Sequence, residues 1–99
     1  MDARALEASR REIPDHLFCG ISMELMGDPV ITPSGHSYER RHITRYLTDH
    51  KKEDPKTRET LRVADLRPNL ALRESIEAFV KGNPWALEEM AGVADHMKE

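Results

Sequence analysis

Six side chains in this sequence could hold a soft metal ion: Cys19 and the five histidines His16, His36, His42, His50 and His96. Zinc is the metal to weigh, because it shapes many small, loop-rich domains. Two closed tetrahedral sites ask for about eight ligands, so a cross-braced pair of zinc ions is excluded by count. One site built from Cys19 and three histidines is conceivable, but no two of these residues stand at convincing ligand spacing. The metal expectation is therefore none. Cys19 also has to be weighed as a nucleophile, since His16 lies three residues before it. A reactive thiol needs a polar, partly exposed site with a base beside it. The neighbours Leu17, Phe18 and Ile21 predict a buried structural thiol instead. Serine and histidine occur, yet there is no nucleophile-elbow pattern and no glycine-rich phosphate loop.

A second set of residues could bind loops together without metal. Ser22, Glu24, Asp28, Arg40, Asp54, Thr57 and Asn69 fall in or beside irregular segments. Irregular backbone leaves amide and carbonyl groups unpaired, at about 1–3 kcal/mol for each one that is buried. Asp, Asn, Ser and Thr are the side chains that pair with such backbone. Several of the seven are expected to cross-link the loops; the rest would be exposed turn formers. A third set is apolar. Ile21 and Met23 alternate with polar residues in a loop, and Pro68 precedes a helix in what reads as the second loop region. Surfacing together they would form a small patch suited to a partner; singly, each would be core.

The elements that position these residues follow from periodicity and turn chemistry. Residues 1–12 are charged and alanine-containing and read as a helical linker that Pro14 ends. Residues 13–26 are irregular. Asp28-Pro29 signals a turn, and Val30, Ile31 and Thr32 suit a strand. Pro33-Ser34-Gly35 suits a tight turn, after which His36 to Tyr38 can pair back as a hairpin. Ile43, Tyr46 and Leu47 fall on one face of a helix predicted from Arg40 to Asp49. Lys51 to Thr60 is a polar loop containing Asp54-Pro55, and a short third strand is predicted around Val63 to Leu66. Asn69 is a good N-cap for a helix carrying the stripe Leu72, Ile76, Phe79 and Val80, with Gly82 as its left-handed stop. Asn83-Pro84 opens a further helix with Trp85, Met90, Val93, Ala94 and Met97 on one side. The organisation is a linker over 1–12, one small α+β domain over 13–82 and a C-terminal helix over 83–99, with no internal repeat in the sequence.

Composition narrows the function. A chain of 99 residues makes one small domain, with roughly 5–10 kcal/mol of stability. The net charge of −3 argues against nucleic acid, and Arg40-Arg41 is the short basic spot of a solvated helix face. One cysteine permits no internal disulfide, which fits a reducing compartment, the cytoplasm or nucleus. No apolar run reaches the roughly 18 residues of a membrane span, so no membrane partner is expected.

The ordered series Ile13-Pro14-Asp15, Cys19-Gly20-Ile21-Ser22-Met23-Glu24-Leu25-Met26, Asp28-Pro29-Val30, Gly35, Tyr38-Glu39-Arg40, Ile43, Asp54-Pro55, Thr57-Arg58, Leu61, Leu66, Pro68-Asn69, Leu72, Ile76 and Phe79 resembles the U-box family, over about Ile13 to Trp85. Within that family the nearer likeness is to the U-boxes of co-chaperone ubiquitin ligases. It is carried by Ile13-Pro14-Asp15, Cys19-Gly20, Ile31-Thr32-Pro33-Ser34-Gly35, Pro68-Asn69-Leu70-Ala71 and the tryptophan after the last matched helix. Gly20 stands where many U-boxes have proline. The resemblance implies a zinc-free, RING-like fold with a hairpin, a short third strand, a central helix, two long loops and C-terminal helices. It implies a ubiquitin ligase that needs no cofactor and forms no covalent intermediate. Its partners would be a ubiquitin-conjugating enzyme charged with ubiquitin, and protein substrates. Chaperones would bind only through repeats carried by a longer parent chain, and a homodimer is implied. Ile21, Met23 and Pro68 would seat the conjugating enzyme, and Arg58 would be the catalytic group, acting by positioning both enzyme and ubiquitin. The alternative is a U-box fold that docks a partner without promoting transfer. A third possibility is an enzyme with Cys19 as its nucleophile.

Overall fold

The computed structural model describes residues 13–90 of the chain. Pro29 opens β1 (Pro29–Ile31), which pairs antiparallel with β2 (Ser37–Glu39), Val30 lying opposite Tyr38. The turn between them closes where the Gly35 N–H donates to the Thr32 carbonyl at 2.9 Å. Gly35 has a φ of 90°, a conformation that is cheap only without a Cβ. β2 runs straight into α1 (Arg40–Asp49), which buries Ile43 and Leu47 as its spacing predicts. Its first turn has no side-chain cap; the Arg40 N–H is satisfied by the Asp28 carbonyl at 3.0 Å.

The third strand is not at Val63 to Leu66, where it is expected. Val63–Asp65 is a turn of 3₁₀ helix, locked by the Asp65 carboxylate accepting from the Arg62 N–H at 3.0 Å. The strand is β3 (Arg67–Pro68), antiparallel to the free side of β1, so the sheet order is β2-β1-β3. Position beside β1, rather than strand propensity, decides which residues pair. α2 (Leu70–Gly82) follows, and Asn69 caps it by accepting from the Leu72 N–H at 3.1 Å. Gly82 is not the left-handed stop. It lies inside α2, while Asn83 takes the C-cap with φ −139° and donates from its side chain to the Phe79 carbonyl.

Ile76 of α2, Ile43 and Leu47 of α1 and Val30 and Tyr38 of the sheet form one core. Ile13, Leu17, Cys19, Leu25, Met26, Leu61, Leu66 and Ala86 from the connecting segments complete it. The C-terminal helix predicted from Asn83 is, over its described part, a 3₁₀ helix at Pro84–Glu89; the Trp85 ring meets Phe79 edge-on. Met90 forms a parallel bridge with Leu25, and the Leu25 N–H donates to the Glu89 carbonyl. The rest of that helix, with Val93, Ala94 and Met97, and the linker helix over 1–12, lie outside the described residues. No helix among the described residues is long and apolar enough to cross a membrane.

Candidate protein-docking site

The two loops of this domain are built to one pattern. In the first, the Cys19 N–H donates to the Glu24 carbonyl at 2.8 Å and the Met23 N–H to the Cys19 carbonyl at 2.8 Å. In the second, the Asp54 N–H donates to the Glu59 carbonyl at 2.8 Å and the Arg58 N–H to the Asp54 carbonyl at 2.7 Å. Each knuckle is closed by a one-pair antiparallel bridge, Phe18 with Leu25 and Glu53 with Thr60. Its fourth residue, Ser22 or Thr57, accepts from the N–H of its sixth, Glu24 or Glu59, at 3.3 and 3.2 Å. Its fifth residue, Met23 or Arg58, has a positive φ of 59° or 64°. Those two are the only non-glycine residues with positive φ among the described residues. A bulky side chain in that conformation costs roughly 1–2 kcal/mol. Strain kept by a protein at two equivalent exposed points is a pointer to use.

Both knuckles hang on the same strand. Their first residues, Cys19 and Asp54, are buried. The Cys19 thiol accepts from the Glu39 N–H at 3.3 Å. The Asp54 carboxylate accepts from the hydroxyl of the adjacent residue, Tyr38, at 2.6 Å. It also accepts from Thr32 Oγ1 (3.2 Å), Ser34 Oγ (2.7 Å) and the Lys56 N–H (2.9 Å). Asp54 thus joins the second knuckle to the hairpin turn and to β2. Burial resists its charge, but the donors from Tyr38, Ser34, Lys56 and Thr32 outweigh that and bring its pKa down to about 2. Burial, and then the bond to Asp54, raise the Tyr38 phenol. On the first knuckle's far side the Glu39 carboxylate accepts from the Gly27 and Asp28 N–H groups at 3.0 Å each. Arg40 Nε donates to Asp28 at 2.8 Å. His42 on α1 lies 3.7 Å from Glu24.

The seven polar candidates therefore divide. Asp54 is the hub, Asp28 and Arg40 tie the exit of the first knuckle to α1, and Asn69 links α2 to β2 through Ser37 Oγ at 3.0 Å. Ser22 and Thr57 act inside their own knuckles, and Glu24 reaches α1 through His42 alone. Sequence reasoning missed Glu39, Tyr38, Thr32 and Ser34, the partners of the residues it named. The available signal was three polar side chains alternating through a short hairpin, with Glu39 at its end.

Among the apolar candidates, Met23 is 63% exposed and Ile21 half-buried against the core. Pro68 is exposed, but it is not on the second loop: it lies in β3 opposite Val30. The second knuckle presents Pro55, Lys56 and Arg58 instead. The Arg58 guanidinium is exposed and makes no hydrogen bond or ion pair to another described residue. Among the described residues no three His, Cys, Asp or Glu side chains converge as metal ligands would.

Asp54 makes the fold sensitive to acid. Its folded pKa lies below the ordinary 3.8, so its contribution is whole above that value and is lost as pH falls toward about 2. Acid titration of unfolding should show a loss of ~2 kcal/mol in that window; an Asp54→Asn protein should not show it. Equal acid sensitivity in both would remove Asp54 from the account.

A family model described as the U-box domain matches residues 13–85. The chain is 45% identical over 82 residues to E3 ubiquitin-protein ligase CHIP of Arabidopsis thaliana, covering 83% of this chain and 30% of that one. It is 41% identical over 80 residues to U-box domain-containing protein 14 of the same plant, covering 81% of this chain and 13% of that one. The chain thus spans less than a third of these relatives. The solution structure of the RING finger-like domain of Retinoblastoma Binding Protein-6 superposes with a TM-score of 0.62 at 29% identity, over 70% of this chain and 78% of that one.

Proposed function

The chain belongs to the U-box family, and on that premise we propose that it is a ubiquitin–protein ligase module, which docks a ubiquitin-conjugating enzyme and speeds transfer of ubiquitin from that enzyme's thioester to substrate lysines. The observation that carries the reading is the pair of matched knuckles hung on adjacent residues of β2. They make a platform tied together by side-chain and main-chain hydrogen bonds, with strained, exposed side chains at equivalent points. Rigid platforms favour binding because little order is left to impose on association.

Ile21 and Met23 on the first knuckle, with Pro55 on the second, form the apolar seat. Pro55 replaces Pro68 in this role because it stands on a knuckle and Pro68 in the sheet. Arg58 then faces the charged enzyme, and its planar fork can bridge carbonyls on the enzyme and on ubiquitin together. In this reading the ligase forms no covalent intermediate, which the burial of Cys19 and the bond its sulfur accepts from the Glu39 N–H support. Transfer would go directly from the conjugating enzyme's cysteine to the substrate amine, with the ligase supplying position. Work in chaperone-linked quality control, as a homodimer in the cytoplasm or nucleus, belongs to the same proposal and rests on the likeness to co-chaperone ligases.

An autoubiquitination assay with a panel of conjugating enzymes tests it. Ile21→Ala should cut transfer about tenfold, the effect of roughly 1.4 kcal/mol lost from the seat, with the fold intact by circular dichroism. Pro55→Ala should weaken transfer more than Pro68→Ala. Transfer by the Ile21 variant at the parent's rate would sink the seat, and a larger loss from Pro68→Ala would return that residue to it. A parent that binds conjugating enzymes but never accelerates discharge would favour the docking-only module.

A further inference from the structure

Gly20 is packed under the far end of the exposed Lys56 side chain. A Cβ built on it would lie 3.2 Å from Lys56 Cε, 3.6 Å from Lys56 Nζ and 3.7 Å from Tyr38 Cε1. Gly20 belongs to the first knuckle and Lys56 to the second, so the side chain of one loop occupies the room that the other leaves by having none. The root of that side chain is fixed, because the Lys56 N–H donates to Asp54 Oδ1 at 2.9 Å. Its far end is guided as well: Nζ stands 6.0 Å from the centroid of the buried Tyr38 ring, the outer range for attraction of a cation to an aromatic face. The apolar stem packs while the ammonium stays in water, as long basic side chains do over a covered surface.

This contact is distinct from the bonds that hang each knuckle on β2. Those fix Cys19 and Asp54, the roots of the knuckles. They leave the separation of the tips to contacts made from one knuckle to the other, and the exposed Lys56 side chain, lying against Gly20, is such a contact. A partner that must touch Ile21 and Met23 on one tip and Pro55 and Arg58 on the other would feel that separation directly.

We propose that Lys56, packed across Gly20, is a positioning residue that sets the spacing between the two knuckle tips and thereby selects which conjugating enzymes fit. The inference rests on the ligase reading for its consequence but not for its geometry. Filling position 20 and shortening position 56 should have the same effect, since both empty or displace one contact. The stem packed on Gly20 carries the spacing, and the ammonium, 6.0 Å from the Tyr38 ring, adds only a weak attraction.

The test compares Lys56→Ala, Lys56→Met, Gly20→Ala and the Gly20→Ala/Lys56→Ala double variant in the full chain. Discharge of several conjugating enzymes is followed as a function of their concentration. Lys56→Ala should raise KM about three- to tenfold for enzymes the parent favours, with kcat within about twofold. The order of preference across the panel should change. Gly20→Ala should do the same, and the double variant should be no worse than the poorer single, as expected when two changes remove one shared contact. Lys56→Met, which restores an unbranched stem, should bring KM back toward the parent. Additive losses in the double variant, a fall in kcat at unchanged KM, or no rescue by methionine would each overturn the proposal.

Amide chemical shifts decide the geometry independently of transfer. Lys56→Ala should move the Gly20, Ile21 and Met23 amides, and Gly20→Ala those of Lys56 and Arg58. Shifts confined to the mutated knuckle would sink the coupling whatever the kinetics show. A parent with no discharge activity but with these reciprocal shifts would sink the ligase reading, and selection with it, while leaving the coupling of the tips standing.

Discussion

Replacing Asp54 by alanine should cost the domain about 3–5 kcal/mol, about half of what a fold of this size possesses. Four donors converge on this carboxylate: the hydroxyls of Tyr38, Thr32 and Ser34 and the Lys56 N–H. Alanine leaves the Tyr38 hydroxyl and the Lys56 N–H without an acceptor in a site that is 1% exposed, and leaves Thr32 and Ser34 only each other, their hydroxyls standing 2.7 Å apart. Each orphaned donor costs about 1–3 kcal/mol when water cannot reach it, and relaxation of the hairpin turn recovers part of the total. The damage should also be directional. The second knuckle loses its root, whereas the first remains tied to Glu39 through Cys19. Urea unfolding should show the loss of stability, and hydrogen exchange on any folded fraction should show Arg58 and Glu59 opening before Met23 and Glu24. Tyr38→Phe removes one donor and leaves the carboxylate three, so it should cost only about 1–1.5 kcal/mol. An Asp54→Ala protein with the parent's unfolding midpoint would mean that the second loop is held by something else.

The dependence of a loop on one carboxylate explains what could be read from the residues. The hairpin, α1 and α2 were legible because each has a local signature: Pro33-Ser34-Gly35 between two β-prone runs, Ile43 and Leu47 at helical spacing, and Asn69 before the stripe from Leu72 to Val80. Asp54 and Asn69 could be named as loop binders from side-chain chemistry alone. Their partners could not, because a contact between positions 54 and 38 leaves no mark in either neighbourhood. The repeat of the knuckles was invisible for a related reason. Cys19-Gly20-Ile21-Ser22-Met23-Glu24 and Asp54-Pro55-Lys56-Thr57-Arg58-Glu59 share a hydroxyl at the fourth place and a glutamate at the sixth, and little else. What repeats is main-chain hydrogen bonding, which side-chain identity barely encodes. Pro68 reads as loop because the third strand is expected a few residues earlier, around Val63 to Leu66; β3 exists through its pairing with β1.

The same geometry makes Arg58 the position where fold and activity should separate most cleanly. At φ 64° any side chain with a Cβ is strained, and glycine is not. Arg58→Gly should therefore fold as well as the parent or slightly better, by up to ~1 kcal/mol, once relief of strain is set against glycine's freedom in the unfolded chain. Since the guanidinium has no partner among the described residues, its removal leaves no buried group unsatisfied. Transfer should nonetheless fall by about 10- to 100-fold, the effect of roughly 1.4–2.8 kcal/mol withdrawn from the reactive pose. Uncharged conjugating enzyme should still bind within about twofold, because Ile21, Met23 and Pro55 remain. Arg58→Lys keeps the charge but loses the planar fork, and should fall between the two. The measurements are a melting curve, a binding isotherm with uncharged enzyme and single-turnover discharge of the ubiquitin thioester onto free lysine. If the glycine variant discharges as fast as the parent, the strained arginine serves only the shape of its knuckle; if it unfolds, the positive φ is held by side-chain contacts and not by the two main-chain bonds at Asp54.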